Sequence, residues 1–244
     1  MSKQIIKTGF TNISYIENGY FVQEKKLTGF NHKINYSLLK QFDFVPKLIK
    51  ETKDVNTWEF IEGHEPSASK ENLIQIVKDL KILHNSKLPF PPSNHAARVK
   101  GYRAILKEKN INIPALNDFY RSVNQTLSKM DKTKPLHNDM WLRNLVQTKE
   151  GKIYFCDWEY ATLGDVNFEL AYFIESAQLN KEQEKWVLDE YEDYDPVYLI
   201  RHKILVNYLV VLWAHSQTTL PFDTTYYEKR MYELNKELIE LRGE

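Results

Sequence analysis

One cysteine, Cys156, stands in 244 residues, so the chain has no internal disulfide and no cysteine-rich zinc site. A reducing cytoplasm is the compartment that this composition suits. An excess of either charge is missing too: 33 Lys+Arg balance 33 Asp+Glu. Without a clustered basic excess there is no electrostatic footprint for nucleic acid. No run approaches the ~18 consecutive apolar residues of a membrane span, so none is expected. The opening MSKQIIKTGF also lacks the apolar core of a signal peptide. Glycine is scarce, with 8 residues, about half the usual ~7%. What is abundant is apolar and aromatic: 42% of residues are hydrophobic, which supports a packed core and excludes wholesale disorder. Aromatics reach 13%, with 15 Tyr and 5 Trp.

The front of the chain reads as short strands and one helix. Ile13–Ile16 and Tyr20–Gln23 flank Asn18-Gly19, a two-residue hairpin signal. Asn31 to Gln41 reads as a helix with Ile34, Leu38 and Leu39 on one face. Phe44 to Lys50 and Thr57 to Ile61 read as two further strands. Gly63 and Pro66 interrupt the pattern. After Ser69, an N-cap candidate, Leu73, Ile76, Val77, Leu80 and Leu83 recur at helical spacing. Pro89, Pro91 and Pro92 end that helix in a loop. The remainder reads as helical, apart from a hairpin in which Leu145-Val146 and Ile153–Phe155 flank Lys149–Lys152, with Gly151 in the turn. A β-rich front of about 65 residues therefore precedes a helical body, with the boundary near Gly63.

The segment LHNDMWLRNLVQTKEGKIYFCDWEY, residues 136–160, carries the chemistry. It holds Asp139 two residues after His137, Asn144 five residues further on, and Asp157 at the end of the hairpin's second strand. Phosphoryl transfer uses such a set: one carboxylate takes the proton of an attacking hydroxyl, and two oxygen ligands hold Mg²⁺ on nucleotide phosphates. The hairpin sets Asn144 beside Asp157, while the tight loop leaves Asp139 facing an acceptor. His137 reads as a brace for the loop, and Cys156 as a small buried residue.

This segment resembles the catalytic loop and metal-binding Asp of the aminoglycoside phosphotransferase and choline kinase superfamily, with its finer match to choline/ethanolamine kinases. His137-Asn138-Asp139 looks like their HND, Asp157-Trp158-Glu159-Tyr160-Ala161 like their D-[FW]-E-Y-A, and Leu212–Gln217 like their L-W-x₃-Q helix. Thr57 to Gly63 resembles the hinge, and Leu83–Ser86 the L-H-x-S helix end. The resemblance implies an α+β, protein-kinase-like, two-lobed fold, with a small antiparallel-sheet nucleotide-binding lobe (1–63) and a larger, mostly helical catalytic lobe (64–244). It implies Asp139 as catalytic base and Asn144 and Asp157 as Mg²⁺ ligands. Gly9, Asn12, Lys25, Glu59 and Ile61 would bind ATP. Tyr160, Glu175 and Trp213 would hold the substrate, with Tyr227 and Arg230 on a final helix like the family's. A quaternary ammonium cannot donate a hydrogen bond, so aromatic faces with a carboxylate nearby suit it.

The front of the chain departs from that pattern. Its phosphate loop, Lys7–Ser14, has only Gly9 to let the backbone approach a phosphate closely. Where a phosphate-gripping Lys or Arg is expected, the register offers Gln23, with Lys25 two residues on. Asn31 to Leu39 contains no acid to pair with such a cation. The expected activity is an ATP- and Mg²⁺-dependent kinase of a small alcohol, foremost choline. Thiamine, another small alcohol of the aminoglycoside-kinase type, and a non-catalytic choline-binding protein stand as alternatives. The partner expected is a small molecule, with no nucleic acid, no membrane and no assigned oligomeric state.

Overall fold

A computed structural model describes residues 4–6 and 11–243. Five antiparallel strands form one sheet in the order β1 (Gln4–Ile6), β2 (Ile13–Glu17), β3 (Tyr20–Glu24), β5 (Val55–Glu59), β4 (Leu48–Glu51). The β2–β3 turn places Asn18 at φ 53° and Gly19 at φ 78°. These left-handed values match the right-handed twist of the flanking strands, and Asn-Gly supplies them at low cost. β4 starts four residues later and stops one residue later than the apolar run Phe44 to Lys50 suggests, and β5 lies two residues earlier than Thr57 to Ile61. Phe44 and Val45 are not strand but core, and the Phe44 carbonyl accepts the Phe155 amide at 2.7 Å. Pro46, which has no amide to offer a ladder, delays the strand.

The helix expected over Asn31–Gln41 is not formed. Only Tyr36–Gln41 winds, as a 3₁₀ helix capped by Asn35, whose side chain accepts the Ser37 amide. His32 sits at φ 52° and breaks any helical start. The buried Asn31 side chain spends its amide on Lys26 O and Glu159 rather than on a helix terminus.

Between sheet and helical body the chain is pinned by Gly63. The carbonyl oxygen of Gln147 lies 2.3 Å from where a Cβ on residue 63 would be. His64 exchanges backbone hydrogen bonds with Gln147 just beyond. Only glycine permits this approach.

The helical body contains α1 (Lys70–Asn85), α2 (His95–Glu108), α3 (Pro114–Asp118), α4 (Tyr120–Lys129), α5 (Val166–Ser176), α6 (Lys181–Tyr191), α7 (Pro196–Ser216) and α8 (Thr225–Arg242). Ser69 caps α1 by accepting the Asn72 amide at 3.3 Å. The five apolar positions read from the sequence of α1 are all fully buried. Each contributes about 1.5–3 kcal/mol relative to an exposed side chain. α7 is the central helix, packed by α2, α4, α5 and α8. By length and hydropathy α7 could cross a membrane, which corrects the expectation that no segment would qualify. However, 67% of its most apolar stretch is buried inside the protein, as in a core helix. A strand pair not read from the sequence, β6 (Lys134–Leu136) with β9 (Thr162–Gly164), and the expected hairpin β7 (Leu145–Gln147) with β8 (Ile153–Phe155), frame the loops that follow. Strands of three residues carry too little pattern to be read singly.

Candidate active site

β6 ends at Leu136 and delivers His137, Asn138 and Asp139 into a loop held from every side. Glu169, fully buried on α5, accepts the backbone amides of His137 at 2.5 Å and Asn138 at 2.8 Å. Asn138 lies at φ 66°, a strained value that Asn tolerates, and its amide donates to Tyr160 O and Thr162 Oγ1 on the β9 side. Burial lowers the His137 pKa, so the ring is neutral. Its Nε2 donates to Cys156 O at 2.8 Å, which leaves Nδ1 to accept the Asp139 amide at 3.3 Å. His137 thus braces the loop, as expected. Burial pushes the half-buried Cys156 thiol up to about 12, so it is no nucleophile at neutral pH.

The two oxygens of Asp139 have separate partners. Tyr172, on α5, donates its hydroxyl to Oδ1 at 2.5 Å. Asn144 donates to Oδ2 at 2.9 Å and to the Asp139 carbonyl at 2.8 Å. Both N–H groups of Asn144 are turned to Asp139, which leaves its Oδ1 for another ligand. The β7–β8 hairpin then brings in Asp157: Leu145 pairs with Phe155, and the Cys156 amide donates to Asn144 O at 2.8 Å. Asp157 itself is left-handed, at φ 59° and ψ 59°, and Gln23 of β3 donates to its Oδ1 at 3.0 Å.

Burial first, then the neighbouring Glu159 and Asp139, holds the Asp157 carboxyl well above the usual carboxylate range. Burial also raises Glu159 to about 7, although Asn31 donates to it at 2.6 Å and His32 Nε2 lies 3.1 Å away. Burial lowers His32 to about 4, so the ring contributes no charge, and its Nδ1 accepts from Tyr36 at 2.6 Å. Three carboxylates therefore share a pocket of neutral donors. Such a site favours a bound cation. Among the described residues no three His, Cys, Asp or Glu side chains form a metal site by themselves. With both N–H groups of Asn144 spent on Asp139, its Oδ1 and the Asp157 carboxyl are oxygen donors that would suit a divalent ion, its remaining ligands coming from phosphate or water.

The other expected residues fall in different places. Lys25 is not unpaired: its Nζ contacts Glu51 Oε1 at 3.1 Å and Thr52 O at 2.9 Å. The acid comes from β4 rather than from the segment Asn31–Leu39, which corrects the expected absence of an ion pair. It is Gln23, not Lys25, that reaches Asp157. Asn12 accepts from the Lys26 amide at 3.1 Å and lies 3.0 Å from His32 Nε2. Glu59 and Ile61 lie at and just beyond the end of β5, exposed and half-buried respectively. Gly9 lies outside the described residues. Tyr160 is buried beside the loop, with the guanidinium of Arg98 4.7 Å from its ring centre. Glu175 is already gripped by Arg230 through two hydrogen bonds of 3.1 Å, and Asn207 donates to it at 3.0 Å. Half-buried Trp213 stacks on Phe222, which contacts Tyr227. Tyr172 and Arg98 escaped the sequence reading. Tyr172 had one signal, its place three residues after Glu169 on one helix face.

His95 is a further buried support, fully enclosed beneath the loop with its ring edge on Phe168. Burial lowers its pKa to about 3, so the folded protein resists a proton that the unfolded chain accepts below about 6.5. Stability from this source is complete above pH 6.5 and is lost as pH falls towards 3. The melting temperature should drop on acidification from pH 7 to 4.5, by roughly 2–4 °C for each kcal/mol lost. The slope should be shallower in His95→Gln, as thermal melts across that pH range would register.

The model of the phosphotransferase enzyme family (APH) matches residues 38–200, more than half of the chain. A protein LicA homolog of Mycoplasma capricolum is 47% identical over 229 residues, which cover 94% of this chain and 96% of that protein. Among solved structures, the choline kinase LicA of Streptococcus pneumoniae superposes with a TM-score of 0.77 at 20% identity, covering 98% of this chain and 94% of that one. A structure of LicA in complex with AMP gives 0.76 at 19% identity, covering 98% and 92%. The fold is therefore the protein-kinase-like α+β fold, and the family model spans the Asp139 loop, the hairpin and α5: the chain belongs to the phosphotransferase enzyme family.

Proposed function

We propose that this phosphotransferase is an ATP- and Mg²⁺-dependent kinase that phosphorylates the hydroxyl of choline. The observation that carries the reading is the Asp139 carboxylate, oriented by Tyr172 and Asn144 on a loop that the β7–β8 hairpin links to Asp157: one carboxylate to take a proton, and the Asn144 and Asp157 oxygens to hold an ion. The 47% identity to a LicA homolog, together with the superposition on the choline kinase LicA of Streptococcus pneumoniae, supports choline as acceptor, and the AMP complex of LicA supports an adenine nucleotide as donor.

In this reading Asp139 accepts the hydroxyl proton on a carboxylate oxygen as the alcohol attacks phosphorus. Asn144 orients that carboxylate through its amide, and its own oxygen, together with Asp157, would hold the ion. Glu169 and His137 keep the loop from shifting, so the geometry exists before substrate arrives. Bound Mg²⁺ would neutralise the charge that develops on the phosphates. Gln23 holds Asp157 where a cation is usual, and Lys25, two residues on, is paired with Glu51.

An ADP-release assay with choline, ethanolamine, thiamine and kanamycin tests the proposal. Choline should give the highest kcat/KM, and a clear preference for any of the others would refute it. Tyr172→Phe removes one donor from Asp139. Its expected effect is a loss of about tenfold in kcat, from a hydrogen bond to a charged group.

A further inference from the structure

Arg98 enters from the first turns of α2 and is buried, 7% exposed. Its guanidinium lies over the Tyr160 ring at 4.7 Å. The phenols of Tyr102, Tyr160 and Tyr172 are the groups close enough to act on its charge. Among the described residues no carboxylate pairs with it, and its Nε is buried without a partner. A buried cation so placed is costly, and aromatic faces offset only part of that cost. Tyr172 is also the residue that donates to Asp139, so the three phenols adjoin the reacting end of the site.

Of the aromatic faces suited to a cationic alcohol, Tyr160 thus already holds a cation of the protein's own. We infer that Arg98 is a specificity-determining residue that competes with the acceptor's ammonium for the Tyr160 ring. The inference rests on the reading that the acceptor is a small cationic alcohol bound beside Asp139. Two consequences follow from electrostatics alone. An acceptor gains little from its positive charge while the guanidinium stays over the ring. Removing the charge at residue 98 returns the ring to the acceptor.

The test measures binding by calorimetry in the presence of ADP and Mg²⁺, so it does not depend on turnover. Choline is compared with dimethylbutanol, its uncharged carbon isostere. The preference for choline over the isostere should stay below about tenfold in the wild-type protein. In Arg98→Gln and Arg98→Met it should rise by about tenfold, the scale of one freed cation–π contact. In Arg98→Lys, which keeps the charge, it should stay within about twofold of wild type. A preference in the neutral variants equal to or below that of wild type overturns the inference, as does failure of every form to bind choline. If both neutral variants fail to fold, as thermal melts would reveal, the wild-type preference decides: above about tenfold overturns the inference, below it supports it. The ADP-release assay separates this result from the choline reading. Wild type that does not phosphorylate choline, with a preference that still rises in Arg98→Gln, would remove the substrate assignment and keep the role of Arg98.

Discussion

Asp139→Asn is expected to lower kcat with choline by at least about a hundredfold while nucleotide affinity stays near that of wild type. A positioned general base contributes typically about 10²–10⁴ to the rate, and an amide cannot take the proton. The environment makes the substitution a clean one. The amide oxygen can still accept from Tyr172, as Oδ1 does at 2.5 Å. The loop remains held by Glu169 through the two amides before residue 139. The strain is confined to the other side, where the new amide nitrogen meets the Asn144 amide that now donates to Oδ2 at 2.9 Å. Steady-state kinetics together with calorimetry for ADP and Mg²⁺ check both halves. Near-normal turnover would remove Asp139 as the base, and a lost nucleotide site would mean that the loop had collapsed.

The second large effect is expected at Asp157, and it has two signs. Asp157→Asn should reduce kcat/KM for ATP by about a hundredfold or more, because a neutral amide is a poor ligand for a hard divalent ion. The same change should raise the melting temperature of the ligand-free protein. In that state burial, Glu159 and Asp139 all disfavour the ionised carboxylate, and its folded pKa lies above the unfolded one. The sign of the linkage follows: the folded state binds the extra proton, so stability falls as pH rises above the unfolded value near 3.9. Removing the charge removes that loss, and the gain over wild type should be larger at pH 8 than at pH 5. Gln23 can still donate to the amide oxygen, so the gain comes at little structural cost. Thermal melts at the two pH values, paired with kinetics, would expose the trade of stability for function. A melting temperature that drops in the variant would mean that Asp157 is held by more favourable contacts than Gln23 alone.

Much of this arrangement was legible before any coordinates, because it is local. Asn144 and Asp157 lie on either side of a hairpin whose turn carries Gly151, so pairing of Leu145 with Phe155 brings them together. α1 was equally plain, since Ser69 and five apolar positions at helical spacing determine both its start and its buried face. What failed was contingent on distant partners. Asn31 to Gln41 has helical periodicity, but the Asn31 amide is worth more on Glu159, 128 residues away, than in a first helical turn. Lys25 looked unpaired because its acid lies on β4, and only the β3–β5–β4 order puts Glu51 within reach.

The sequence alone determined which candidate groups share a segment and in what order: a carboxylate, an amide oxygen and a second carboxylate on one loop and one hairpin, proposed as base and ion ligands, in a chain with a β-rich front and a helical rear. Spacing of a few residues suffices for that, because backbone geometry fixes what short segments can reach. Tertiary structure decided how those groups are charged and who restrains them. Tyr172 on Asp139, Gln23 on Asp157, Arg230 on Glu175 and Arg98 over Tyr160 are each supplied from another element. Burial and Coulomb interactions depend on what surrounds a side chain in space, and no spacing along the chain encodes that.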